Sequence, residues 1–136
     1  MIDIRVRSSR LNEVCEELGI PVPYIIVVDD PPAGHEHRGG TAFRDSVIKL
    51  YRRPFEHNYR RALEKAGSQP GVTPAALLAM CADRARHVLL HELYHCKQYE
   101  EDRDPENNRE QAEAEAAAWA FANEHRWTDL VKLVDE

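Results

Sequence analysis

Two histidines and a glutamate at helical spacing are the residues of this chain best suited to do chemistry. His91 and His95 are four residues apart, and Glu92 follows the first of them. Residues i and i+4 of an α-helix lie on one face, about 6 Å apart along the axis, so both imidazoles can bind one metal ion. Glu92 lies about 100° around the helix, where it is poorly placed as a ligand but can accept a proton from a water molecule at the metal. The spacing therefore predicts a Zn²⁺ site with its own general base.

The sequence around this motif predicts the helix that carries it. Residues 75–100 form one amphipathic stretch, in which Thr73 suits the N-cap and Pro74 the first helical position. Its apolar residues are Leu77, Leu78, Met80, Cys81, Val88, Leu89, Leu90 and Leu93. A helix buried on this scale rarely keeps titratable groups without partners, which favours a metal ion over a chance match. The alternative is a surface helix that carries two histidines by coincidence.

The composition indicates one ordinary domain over residues 1–136. The chain is 43% hydrophobic and 31% charged, and its net charge of −6 argues against a nucleic-acid partner. No apolar run is long enough to cross a membrane and the first residues do not form a signal peptide, so a cytoplasmic location is expected. Cys15, Cys81 and Cys96 form no C-x-x-C pair and fit a reducing compartment. Cys96 points off the ligand face and is predicted to pack rather than to bind metal.

Periodicity, capping and turn residues predict the remaining elements. In chain order they are a helix capped by Ser8 or Ser9 that ends before Gly19, a buried strand over Tyr24–Val28, a β-hairpin of residues 41–43 and Val47–Tyr51, a helix over residues 55–66, the motif helix, a helix from residue 109 to about 125, and a short helix over residues 128–134. The expected fold class is α+β, with a small antiparallel or mixed sheet of about three strands packed on the motif helix and the helix after it.

A catalytic zinc ion usually takes three protein ligands, so the third must come from another segment. The polar residues 101–108, with Pro105, break the motif helix and let an alanine-rich helix pack back against it. The candidates for the third ligand on this alanine-rich helix are Glu110, Glu113 and Glu115. Alanines flank Glu113, and a carboxylate among small apolar residues at a helix contact needs a cation, so Glu113 is the predicted ligand. Glu110 lies near the solvated loop and Glu115 points about 200° away, so both are expected to keep the helix soluble.

These motifs resemble those of the gluzincin metallopeptidases, in particular the small minigluzincins, and those of the ImmA/IrrE-type peptidase domain. In these families His-Glu-x-x-His is paired with a downstream Glu-x-Glu-Ala or Glu-x-x-Ala-Asp helix, whose first glutamate binds zinc. The run from Glu113 to Ala116 matches that form, 18 residues after His95, and the resemblance covers about residues 24–125. It implies a zincin-like fold. Many gluzincins carry Asp or Asn four residues after the glutamate ligand to orient a zinc histidine. Ala117 stands there, so that partner must come from elsewhere.

The resemblance implies a zinc-dependent peptidase that acts on a peptide or protein substrate. Glu92 would take a proton from the attacking water and return it to the leaving amine. The substrate would lie extended and antiparallel to an edge strand, for which Val47–Tyr51 is the candidate. Two alternatives belong to other classes. One is a zinc-binding regulatory or interaction module without efficient proteolysis, and the other is a helical interaction domain without metal.

Several other polar residues have less definite interpretations. His87 shares a face with the motif histidines, but three histidines in a row would span about 12 Å, so His87 is expected beside the site. His35 and His37 lie in a glycine-rich loop and are expected to be exposed, although they could fold over the site. Arginines cluster within residues 5–10 and 52–61. Solvated surface is the preferred interpretation, and a basic rim that steers an acidic substrate is the alternative.

Overall fold

The computed structural model describes residues 1–32, 38–42, 46–66, 68–101 and 108–136, which form an α+β fold as predicted. In chain order its elements are β1 (Ile2–Val6), α1 (Ser8–Leu18), β2 (Tyr24–Val28), β3 (Gly39–Ala42), β4 (Val47–Tyr51), α2 (Arg52–Ala66), α3 (Pro74–Glu100), α4 (Arg109–Asn123), a 3-10 helix (Glu124–Trp127) and β5 (Val131–Asp135). Residues 43–45 of the predicted hairpin, together with His35, His37 and Pro105, lie outside the described residues.

The motif helix α3 is central to the packing of the described residues. It contacts every other α-helix and strands β3, β4 and β5. Its start is as predicted, because the Thr73 hydroxyl oxygen accepts a hydrogen bond from the Ala76 N–H at 3.1 Å. Leu89, Leu90 and Leu93 are fully buried, so the motif turn is held against the core. Among the described helices, none has both the length and the apolar character needed to cross a bilayer.

The three-stranded sheet is mixed and has the order β2-β4-β3, with β4 parallel to β2 and antiparallel to β3. Two predictions about it are wrong. The strand β2 is not buried, since Tyr24 is 74% exposed and Ile26 42%. The strand β4 is not an edge strand, because it lies between the other two and buries Ile48 and Leu50. A short run of β-branched residues predicts a strand but not its place in the sheet.

A second, two-stranded sheet joins the two ends of the chain, with β1 antiparallel to β5. The helix predicted over residues 128–134 is therefore wrong. In this segment Val131 and Leu133 are buried whereas Lys132 is exposed, which is the period-two pattern of a strand. Its partner is at the far end of the sequence, so local periodicity could not reveal the pairing.

Some helix boundaries also differ from those predicted. The N-cap of α1 is Arg7, not Ser8 or Ser9, and no side chain caps it, whereas Gly19 ends the helix at φ 70° as expected. The helix α2 begins at Arg52 rather than after Pro54. The helix α4 ends at Asn123 and continues as the 3-10 helix. These shifts leave the order of the elements around the motif unchanged.

The strand β3 lies directly on the motif helix. A Cβ atom at Gly39 would be 2.7 Å from the Val88 Cγ1 atom and 3.2 Å from the Lys49 carbonyl oxygen, so only glycine fits without movement. At the other end of β3, Ala42 pairs with Val47, and the preceding residue, Ser46, lines a small cavity with Cys96. The strand β3 therefore runs alongside α3, from Val88 towards Cys96.

Gly39→Ala is expected to destabilise the protein by about 1–3 kcal/mol, because the added methyl group overlaps Val88 and the neighbouring backbone. Urea unfolding measures the effect. Gly40→Ala is the matched control, since its Cβ would meet only the Tyr51 hydroxyl at 3.6 Å. Gly39→Ala should cost less stability in a Val88→Ala background than in the wild type, because the overlapping Val88 methyl group is then absent. Equal unfolding midpoints for the two single glycine variants would contradict the close packing of β3 on α3.

Candidate metal centre

Three side chains from α3 and α4 converge on one point. The His91 Nε2 atom lies 2.8 Å from Glu113 Oε2, and the His95 Nε2 atom lies 2.9 Å from Glu113 Oε1. The two Nε2 atoms are 3.1 Å apart. These are the three residues that the sequence predicts as ligands, and together they could hold a metal ion. The structure thus brings the motif histidines and the predicted carboxylate into a single group.

The convergence follows from how the two helices pack. Ala112, Ala116 and Ala120 are buried and follow one another at a spacing of four residues, so they form one face of α4. Their small side chains allow the two backbones to approach closely. Glu113 adjoins Ala112 and lies at the flank of this face, next to the motif turn of α3. The alanine-rich composition of α4 is therefore what lets a short carboxylate side chain reach both imidazoles.

The buried side chain of Gln98 orients His95, and sequence reasoning did not identify it. Its Oε1 atom lies 2.8 Å from His95 Nδ1, and its amide nitrogen donates to the Ala112 carbonyl oxygen at 3.0 Å and to Glu115 Oε2 at 3.4 Å. Only 1% of Gln98 is exposed. Its position three residues after His95 on the same helix is the signal that could have found it. Gln98 supplies the orienting contact that Ala117 cannot make.

The contacts of Gln98 also determine which tautomer neutral His95 adopts. A carbonyl oxygen can only accept, so the amide NH2 group of Gln98 must face Ala112, and its oxygen must face His95. The Nδ1 atom of His95 is therefore the donor of that hydrogen bond. In the neutral imidazole, Nε2 then carries a lone pair that faces Glu113 Oε1, which is another acceptor. A cation between these atoms would remove the repulsion between their lone pairs.

The distances fit a small divalent ion. A tetrahedral zinc ion with bonds of about 2.0–2.1 Å holds neighbouring ligand atoms about 3.3 Å apart. The three measured separations, from 2.8 to 3.1 Å, are shorter by only a few tenths of an ångström. Two imidazoles and one carboxylate are also a ligand set used by catalytic zinc. The donor set and its spacing therefore fit a divalent ion of this size after a small outward movement.

One side of the group is open to solvent. The side chain of His95 is only 6% exposed, whereas that of Glu113 is 51% exposed. Burial alone would raise the pKa of the Glu113 carboxyl, but the charges and hydrogen bonds of His95 and His91 in their protonated forms outweigh it and lower this pKa. Glu113 is therefore ionised at neutral pH, as a metal ligand must be. The group is therefore accessible from solvent on the side of Glu113.

The other candidate residues lie outside this group of three ligands. Glu92 is half-buried on α3. Burial raises the pKa of the Cys96 thiol to about 12, and the negative charge of Glu92 adds to this rise. The thiol is therefore protonated, which suits it to packing rather than to metal binding. His87 lies beside the site as expected, and its Nδ1 atom is 2.8 Å from Glu124 Oε2. Glu110 is exposed, but Glu115 contacts Gln98 and does more than keep the helix soluble.

Comparisons with protein-family models, curated proteins and solved structures find no match for this chain.

Gln98→Leu is expected to lower the affinity for zinc about 10–100-fold, because an apolar side chain of similar size cannot hold the His95 ring or its tautomer. Competition with a chromophoric chelator measures the affinity. Gln111→Leu is the matched control, since Gln111 is exposed and contacts Glu115 but neither histidine. Circular dichroism checks that both variants fold. A Gln98→Leu variant that folds and binds zinc as tightly as the wild type would contradict the orienting role.

Proposed function

We propose that this protein is a zinc-dependent peptidase with a zincin-like arrangement of the motif helix, the glutamate helix and the sheet. The observation that carries the proposal is the convergence of His91, His95 and Glu113 within hydrogen-bond distance of one another. A glutamate adjoins the first histidine on the same helix turn. A purely structural zinc site is usually closed by four ligands, whereas three ligands and an exposed side suit a catalytic one.

A few side chains have separate roles in the proposed hydrolysis. A zinc ion, when bound, supplies Lewis acidity that polarises the scissile carbonyl and makes water more acidic. His91, His95 and Glu113 hold the ion, and Gln98 keeps the His95 Nε2 lone pair directed at it. Glu92 acts as the general base, which accepts a proton from the attacking water and passes it to the leaving amine nitrogen.

The strand β3 is the proposed docking edge for the substrate. The sequence assigned this role to Val47–Tyr51, but that strand is central and its hydrogen-bonding groups are used on both sides. The strand β3 is an edge strand that runs beside α3 from Val88 in the direction of the motif turn. An extended peptide that pairs with β3 would use main-chain hydrogen bonds, which require no particular side chains.

The alternative is a zinc-binding module without proteolysis. The alanine at position 117 favours this module, because no residue there can orient a histidine. The contact of Gln98 with His95 reduces that support, because Gln98 orients His95 instead. The presence of Glu92 beside the ligands is unexplained by a binding role alone.

The test is metal analysis together with cleavage of a diverse peptide library. We expect about one zinc ion per chain. We also expect cleavage that a chelator abolishes and that added Zn²⁺ restores, because the proposed hydrolysis requires the ion. Bound zinc without cleavage of any peptide would favour the module. A chain purified without chelators that neither contains nor takes up divalent metal would contradict both.

A further inference from the structure

A basic pocket lies between α2 and α3, outside the metal centre. It encloses about 300 Å³, and the residues that matter for its chemistry are Asn58, Arg61, Lys65, Leu77, Met80 and Arg84. Three of these are cations, and Leu77 and Met80 contribute an apolar wall. We refer to this feature as the basic pocket.

The cations of the basic pocket have no acidic partner among the described residues. Arg61, Lys65 and Arg84 form no ion pair in that part of the chain, although most of its other arginines do. Asp83, which precedes Arg84, pairs instead with Arg86 at 2.9 Å. Three unpaired cations around one cavity, in a chain of net charge −6, create a local field that attracts an anion.

Asn58, which lines the basic pocket, has a buried side-chain donor that also lacks a partner among the described residues. The Asn58 Nδ2 atom is inaccessible to solvent, and no described residue accepts a hydrogen bond from it. A buried donor without an acceptor is costly, and an anionic oxygen in the pocket would satisfy it after a small movement. This observation is independent of the charge argument and points to the same kind of ligand.

The basic pocket lies on the face of α3 that carries the metal ligands. Arg84 precedes His91 by seven residues, so it lies two turns earlier, on nearly the same face and about 10 Å away along the axis. Arg38, which directly precedes β3, also lies near this part of α3, since its charge acts on Cys81. Burial raises the pKa of the Cys81 thiol, and the charges of Arg84 and then Arg38 partly offset this increase. The start of β3 and the basic pocket therefore lie at the same end of the site.

We propose that the basic pocket binds a carboxylate on the C-terminal side of the peptide bond to be cleaved. The inference rests on the proposed peptidase function. Because β3 runs away from Arg38 and towards Cys96, a peptide antiparallel to β3 directs its C-terminal end towards Arg84. An extended chain advances about 3.3 Å per residue, so a carboxylate three or four residues beyond the cleaved bond reaches the pocket. It comes from the peptide's own C-terminus or from an Asp or Glu side chain.

The test compares matched peptides built on one sequence that the wild type cleaves. One ends in a free carboxylate three residues after the cleaved bond, the second is amidated there, and the third is amidated but carries Glu at that residue. We expect amidation to raise KM about three- to fivefold, since an ion pair between exposed groups contributes about that factor at most. If the KM of the third peptide returns to that of the free peptide, an acidic side chain is sufficient. If it stays at the value of the amidated peptide, the free C-terminal carboxylate is required.

Substitutions in the basic pocket test whether it causes the preference for a free carboxylate. Arg84→Gln and Arg61→Gln should each reduce the ratio of KM for the amidated and free peptides, whereas Lys132→Gln, which removes an exposed cation on β5, should leave that ratio unchanged. A ratio near one in the wild type would overturn the inference. So would a ratio that survives both arginine substitutions.

A binding measurement separates this inference from the peptidase proposal. Calorimetric titration of the full chain carrying Glu92→Gln uses as probes the free and amidated forms of one extended peptide, chosen without regard to cleavage, and needs no turnover. Tighter binding of the free peptide, lost on addition of Arg84→Gln, supports the pocket even if the wild type cleaves nothing. Equal binding of the two peptides overturns the pocket even if cleavage is efficient.

Discussion

Glu92→Gln retains bound zinc and loses peptide cleavage by about 10²–10⁴-fold, which is the usual contribution of a general base. The amide has nearly the same shape as the carboxylate but cannot accept a proton at neutral pH. Zinc is retained because His91, His95 and Glu113 are untouched. The measurements are the zinc content of the purified variant and its kcat/KM on a peptide that the wild type cleaves.

Two comparisons make the Glu92→Gln result specific. Glu100→Gln alters an exposed glutamate on the same helix and should leave cleavage near the wild-type level. Glu92→Asp keeps the carboxylate but shortens its reach, so it should retain more activity than the amide. If Glu92→Gln cleaved as fast as the wild type while holding zinc, the proposed role of Glu92 would be wrong.

The second large effect is expected for Glu113→Ala, which should weaken zinc binding by more than about 100-fold. Removing a residue that only orients a ligand already costs 10–100-fold, and here the ligand itself is lost. Two imidazoles from one helix would remain, without the carboxylate that offsets part of the charge of the ion. A zinc titration with a competing chromophoric chelator gives the affinity, and cleavage at saturating zinc shows whether the centre still works.

Glu110→Ala is the control for this substitution. It removes an exposed carboxylate from the same helix, three residues earlier, and should change neither zinc affinity nor helix content by a measurable amount. Zinc affinity equal in Glu113→Ala and wild type would mean that the third ligand lies elsewhere. A loss of similar size in Glu110→Ala would show that general charge rather than coordination holds the ion.

Much of the centre is predictable because its parts are local. The spacing of His91 and His95 places them on one helix face whatever the rest of the chain does. Thr73 and Gly19 act where the sequence suggests, since a cap and a left-handed glycine depend on only a few neighbouring residues. Glu113 was identified from its alanine neighbours, and this local pattern also sets how closely α4 can approach α3.

The sequence by itself therefore determined the helices α1 to α4, the motif face and an acidic candidate on α4, because helical order is set within about four residues. Only the tertiary structure decided the order of the strands, the pairing of β1 with β5, the contact of Gln98 with His95 and the gathering of cations around the basic pocket. Strand partners and buried polar contacts join distant residues, so they depend on how the elements pack and not on local periodicity.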